Sequence, residues 1–172
     1  SANKLEAGAT VLPVAAGPAP GSARIFGVGT GASLLRGWAD NPDSLSQIVP
    51  VVRLDDVVTP PAKSERVLIL VDVEGFEYPA LQGATALVHA DPKPVWMIEI
   101  APDGTGTVKS EAIQGTFDLM AAAGYTARCA RSGLDTVSGP VSGVTNYIFH
   151  AAGMTDDTLL GPQAQRVAIY HP

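Results

Sequence analysis

The run Arg66 to Val73, RVLILVDV, is a continuous apolar and largely β-branched stretch flanked by polar residues. It constrains the fold more than any other segment. A strand with one solvated face alternates apolar and polar residues, whereas an unbroken apolar run belongs at the centre of a parallel sheet covered on both faces. The run passes directly into Glu74-Gly75-Phe76-Glu77, after which Tyr78 to His89 places Leu81, Ala84, Thr85 and Val88 on one face of a helix. Asp91-Pro92-Lys93-Pro94 stops that helix. Val95 to Ile100 (VWMIEI) then reads as a second buried strand, with Glu99 near its C-terminal end.

The flanking sequence supplies shorter elements. Thr10 to Ala16 predicts a strand ending at the turn cluster Gly17-Pro18-Ala19-Pro20-Gly21, and Ser22 to Phe26 a second short strand. The glycine ladder Gly27, Gly29, Gly31 leads into Ser33 to Trp38, the expected start of a helix broken at Asn41-Pro42-Asp43. Ile48 to Leu54 predicts a strand that Pro50 assigns to a sheet edge. Glu111 to Ala123 predicts a helix with Ile113, Phe117 and Met120 on one side and Gly124 as its cap, followed by strands at Tyr125 to Ala130 and Thr145 to Ala151. Strands alternating with helices imply an α/β sheet that takes ligands outside the carboxyl ends of its central strands. Residues 1–151 are read as that domain and 152–172 as a C-terminal tail.

Composition narrows the function. The chain has 172 residues, a formal charge of −6 and a pI near 4.9, so it repels a phosphate backbone and is not expected to bind nucleic acid. No run of about 18 apolar residues is present to span a bilayer, and the N-terminus lacks the pattern of a secretory signal. Cys129 is the only cysteine, which excludes an internal disulfide or cysteine-rich zinc site. A cytoplasmic location is expected. His89, His150 and His171 are scattered without metal-ligand spacing, so no metal is expected.

Asp72-Val73-Glu74-Gly75-Phe76-Glu77 places three carboxylates within six residues where the apolar strand meets a helix. Strand alternation gives Asp72 and Glu74 a common direction, Gly75 permits a sharp turn, and Glu77 lies in the first helical turn, where negative charge suits the helix dipole. Carboxylates at the rim of an apolar crevice can accept a hydrogen bond from a hydroxyl or amine, take a proton, or bind a metal. They can equally be solvated helix-start residues, and spacing leaves both readings open.

The segment Val67 to Ile100 resembles the C-terminal half of the FkbM family of S-adenosylmethionine-dependent methyltransferases, with an apolar strand ending in D-x-E-G-x-E, a helix carrying L-x-G-A and a strand ending in E-I. Leu12 to Ala16 with Gly21, Ala32-Ser33-Leu34, Val51 to Asp56, Gly124-Tyr125 and Asn146 to Phe149 extend the resemblance over roughly residues 10–151. It implies a partial Rossmann-like, class I methyltransferase-type sheet with flanking helices and a β-hairpin insertion. It further implies S-adenosylmethionine as cofactor and a sugar or secondary-metabolite hydroxyl as the small-molecule acceptor. Asp72 and Glu74 are the implied catalytic residues, Ser33, Glu77 and Glu99 the acceptor-binding ones, and Asp72 and Ala16 the donor-side contacts. The donor-binding glycine loop and acidic residue of the family precede the segment equivalent to Thr10, and neither is found. The expectation is therefore the acceptor-side portion of a methyltransferase, completed by a missing N-terminal partner segment or a homodimer across an open sheet edge. A non-catalytic binding or assembly module on the same sheet is the alternative.

Two further readings concern individual residues. Gly27-Val28-Gly29-Thr30-Gly31, with Asp55 or Asp56 about 25 residues on, has the spacing of a compact nucleotide site in which an acid binds ribose. Its bland counterpart is a glycine-rich loop in the hairpin insertion. Ser33 serves equally as an N-cap, Glu99 as half of a structural pair, Asn146 as a substrate-orienting or turn residue, and Trp38 and Trp96 as packing residues.

Overall fold

The computed structural model describes residues 9–101, 110–130 and 135–154, together with the backbone of the strand at 164–169. Asp156-Asp157 and His171 lie outside the described residues. The fold is mixed α/β, with two sheets and short helices, the first of which is α1 (Leu54–Val57). A three-stranded sheet contains β1 (Ala15–Ala16), β2 (Gly21–Phe26) and β3 (Ser46–Val52) in the order β1-β3-β2. The second sheet has six strands: β4 (Arg66–Val71), β5 (Val95–Glu99), β6 (Tyr125–Cys129), β7 (Thr136–Val137), β8 (Asn146–Ala151) and β9 (Ala164–Ile169). Their order is β7-β6-β8-β5-β4-β9.

The apolar run forms an inner strand, parallel to β5 on one side and to β9 on the other. Val67, Ile69 and Val71 are buried, while Leu68 and Leu70 on the other face are only half-covered. On the side away from β5, β4 is paired from Arg66 to Val71 by β9, a strand from within 152–172, the stretch read from sequence as a tail. On the other flank β8 inserts antiparallel between β5 and β6. Trp96, Ile98, Tyr147 and Phe149 are buried at these centres, and Phe117 of α4 (Ser110–Ala122) packs edge-on against Tyr147 with ring centroids 5.0 Å apart. Ile113, Phe117 and Met120 form the buried face expected of that helix, joined by Thr116, and Gly124 ends it in the left-handed region at φ 84°.

Several expected elements differ, among them the strand expected over Thr10 to Ala16, which is only Ala15–Ala16. The helix predicted over Tyr78 to His89 is two short helices, α2 (Glu77–Gln82) and α3 (Thr85–Val88), so Thr85 is exposed and Leu87 is buried in its place. The break falls at Gly83, where an added methyl would overlap the carbonyl oxygen of Gly17, so the close approach of the main chain that follows β1 demands glycine. Pro50 does not mark an edge: β3 is the middle strand of its sheet. The proline is tolerated because β1 pairs only with Val51 and Val52, beyond the missing donor. No α-helix begins at Ser33. Phe26 and Ser33 instead form an antiparallel bridge that folds the glycine ladder into a loop, followed by a 3-10 turn at Trp38–Asp40.

Candidate active site

The parallel register carries β4 and β5 to the same end of the sheet. Val71 stands beside Ile98, so the next residues, Asp72 and Glu99, come level, and Glu99 is in turn paired with Asn146 of β8. Three adjacent strands thus deliver Asp72, Glu99 and Asn146 to one edge. Burial holds the Glu99 carboxyl above its ordinary range, the charges of Asp72 and Glu74 raise it further, and a hydrogen bond with Asp72 acts in the same direction. The Glu99 carboxyl therefore keeps its proton to a higher pH than an isolated one would.

Glu74 lies on the turn with φ 53°, and Gly75 follows at φ 91°. This left-handed pair replaces the strand alternation expected to align Glu74 with Asp72, because β4 has already ended at Val71. Three bonds fix the turn from both sides. Ser33 Oγ donates to the Glu74 carbonyl at 2.6 Å, Trp38 Nε1 donates to Glu74 Oε2 at 2.8 Å, and Gly75 N donates to Glu77 Oε1 at 3.0 Å. Burial raises the Glu74 carboxyl, the Trp38 bond opposes that rise and the charge of Asp72 adds to it. Trp38, read from sequence as a packing residue, is thus a member of the site. Its 36-residue separation from Glu74 left no local signal.

The remaining predicted residues fall around this centre. Ser33 is fully buried, and its oxygen also accepts the Leu35 amide at 3.0 Å, so it holds the turn and caps its own loop. Glu77 is buried beneath the turn rather than facing outward. Ala16 is buried in the core, where β1 meets β3. Asn146 Nδ2 donates to Thr145 Oγ1 at 3.1 Å.

The nucleotide-site alternative does not survive. The glycine ladder follows a strand of the small sheet and leads into a bridge instead of a helix, so no helix N-terminus faces a phosphate. Both supposed ribose acids are engaged. Asp55 accepts the amides of Ala86 at 2.8 Å and Leu87 at 3.1 Å, capping α3, and Asp56 pairs with Arg53 at 2.7 Å.

A small cavity adjoins the acidic turn, lined by Gly75, Glu77, Tyr78, Ile100, Ile113 and Thr116 among others, with a volume of about 10 Å³, room for one water molecule. Among the described residues no group of three or more His, Cys, Asp or Glu is placed to hold a metal ion, and no helix is long and apolar enough to cross a membrane.

The Methyltransferase FkbM domain matches residues 6–126, which span β1 to β5, α4 and the start of β6. The chain belongs to the FkbM methyltransferase family. No curated protein and no solved structure matches it. Within the family match, the D-x-E-G-x-E turn of this FkbM domain is the point where β4, β5 and the glycine-rich loop converge.

Proposed function

We propose that this FkbM domain acts in S-adenosylmethionine-dependent O-methyl transfer to a hydroxyl of a sugar or secondary metabolite, and that it forms the acceptor side of that reaction. The carrying observation is the Asp72–Glu99 carboxyl pair at the carboxyl edge of parallel strands, with Glu74 tied beside it. The order β4-β5-β8-β6, with β8 antiparallel between the other two, supports reading this part of the sheet as the C-terminal half of a Rossmann-like one.

No donor site is assigned among the described residues. The cavity beside the turn takes about one water, whereas small-molecule sites measure roughly 300–1,000 Å³, so no step is assigned through the donor. The chain's own residues account for the acceptor. A hydroxyl at the sheet edge donates its hydrogen bond to Asp72. As the oxygen becomes nucleophilic its proton passes to the Asp72 carboxylate, with the Glu99 carboxyl level beside it. Glu74 is held by Trp38 and Ser33, so it orients the acceptor without a conformational search.

The test combines calorimetry of the protein with S-adenosylmethionine and S-adenosylhomocysteine and transfer of a labelled methyl group to a panel of sugar hydroxyls. Heat of binding with product formation is expected, and Asp72→Asn should lower turnover by about 10²-fold or more, the usual worth of a positioned proton acceptor. Full turnover in Asp72→Asn removes the acid's role. Absence of both heat and transfer favours the second reading, a binding or assembly module on a methyltransferase sheet, which the water-sized cavity supports.

A further inference from the structure

Glu77 is the last acid of the turn, yet it is only 6% exposed. Its Oε1 reaches back along the chain to accept the amide of Gly75 at 3.0 Å and, more weakly, that of Val73 at 3.4 Å. Those amides flank Glu74, the non-glycine residue held at φ 53°. A left-handed conformation costs such a residue free energy and persists only where its surroundings impose it. From the opposite side Ser33 grips the Glu74 carbonyl. The peptide unit joining Glu74 to Gly75 is therefore clasped at both ends, its N–H by the buried carboxyl of Glu77 and its C=O by the buried hydroxyl of Ser33.

The geometry points to Glu77 as the positioning residue for this site: its side-chain oxygen, by accepting the Gly75 and Val73 amides, imposes the left-handed turn that presents Glu74 to Trp38 and to the acceptor. The importance of Glu74 for chemistry rests on the function proposed above, whereas the clasp is a property of the fold and is measured without substrate. A helix-start residue serving the dipole would act through its charge and leave Gly75 indifferent to it. A clasp acts through an acceptor atom, which glutamine retains and alanine removes.

The burial that seats Glu77 also pushes its carboxyl up to about 7, against the pull of the backbone amides, with the charge of Asp72 adding to the rise. The described groups lining the cavity opposite it, Ile100 and Ala101 after β5 and Ala112, Ile113 and Thr116 of α4, carry no charge, and Tyr78 of α2 is its titratable neighbour there. A pH titration therefore reads the clasp directly. In amide-resolved NMR of the whole chain, the Gly75 and Val73 amides should move through one common midpoint near 7, whereas the Trp38 indole N–H, bonded to Glu74, also follows the Glu74 carboxyl. In Glu77→Gln that step should vanish while the Trp38 resonance keeps its position. In Glu77→Ala the Trp38 resonance should shift and Gly75 exchange with solvent should quicken by about tenfold, the equivalent of one lost hydrogen bond. A Gly75 amide that stays flat in the native chain, or a step that persists in Glu77→Gln, overturns the proposal even if Glu77→Ala does not fold. Failure of methyl transfer in the native protein would remove the functional reading and leave these resonances to decide the clasp.

Discussion

Ser33 donates its hydroxyl to the main-chain carbonyl of Glu74 across a separation of 41 residues, and the same oxygen accepts the Leu35 amide. One buried side chain thereby joins the glycine-rich loop to the acidic turn. Ser33→Ala leaves a carbonyl and an amide without their partner in a partly buried setting, a loss of roughly 1–3 kcal/mol. Urea denaturation measures it, and an unchanged midpoint would show that the bond contributes nothing.

Trp38 supplies the hydrogen bond that opposes the rise of the Glu74 carboxyl. Trp38→Phe keeps most of the ring's packing but removes the donor. The titration midpoint of Glu74, followed by the chemical shift of its carboxyl carbon, should move upward. A midpoint that stays or falls would mean that the indole does not hold the carboxylate.

Glu77 makes stability depend on pH in a defined direction. Its folded value, about 7, lies above the ordinary 4.5, so the folded chain binds this proton more tightly than the unfolded one. The resulting stability is fully present below the unfolded value and is lost as pH rises through about 7. Glu77→Gln has no such proton to release. Its stability relative to the native chain should therefore improve between pH 4 and pH 8.5, by up to roughly 3 kcal/mol. Thermal melts across that range check the sign; a constant difference contradicts it.

Gly83, just past α2, lies against the main chain that follows β1, and Gly83→Ala would press a methyl group into the Gly17 carbonyl. Overpacking against backbone that cannot yield costs about 1–3 kcal/mol. A fall in melting temperature is expected, with near-native behaviour counting against the close approach.

Asp55, in the helical turn Leu54–Val57, caps α3 by accepting its Ala86 and Leu87 amides. Asp55→Ala should cost about 0.5–2 kcal/mol of stability, the range for a lost helix cap. If Asp55 instead served a nucleotide, the substitution would weaken ligand binding with little effect on the melt.

The sequence by itself determined the elements whose pattern is local. The apolar run of β4, the apolar face of Ile113, Phe117 and Met120 in α4 and the Gly124 cap were legible because burial of a strand or a helix face leaves a period in the chain. Asp72, Glu74 and Glu99 were legible as candidates because acids at the ends of buried strands are conspicuous. What each residue does was decided by tertiary structure. Trp38 and Ser33 meet Glu74 only because the glycine-rich loop folds back over the turn, and Asp55 became a cap only because the helical turn Leu54–Val57 lies at the start of α3. Pro50 reads as an edge marker until the two-residue length of β1 is known, and Glu77 reads as an exposed helix-start acid until the core closes over it. Hydrogen bonds between groups dozens of residues apart impose no spacing on the sequence, so their partners exist only once the sheet has set its register.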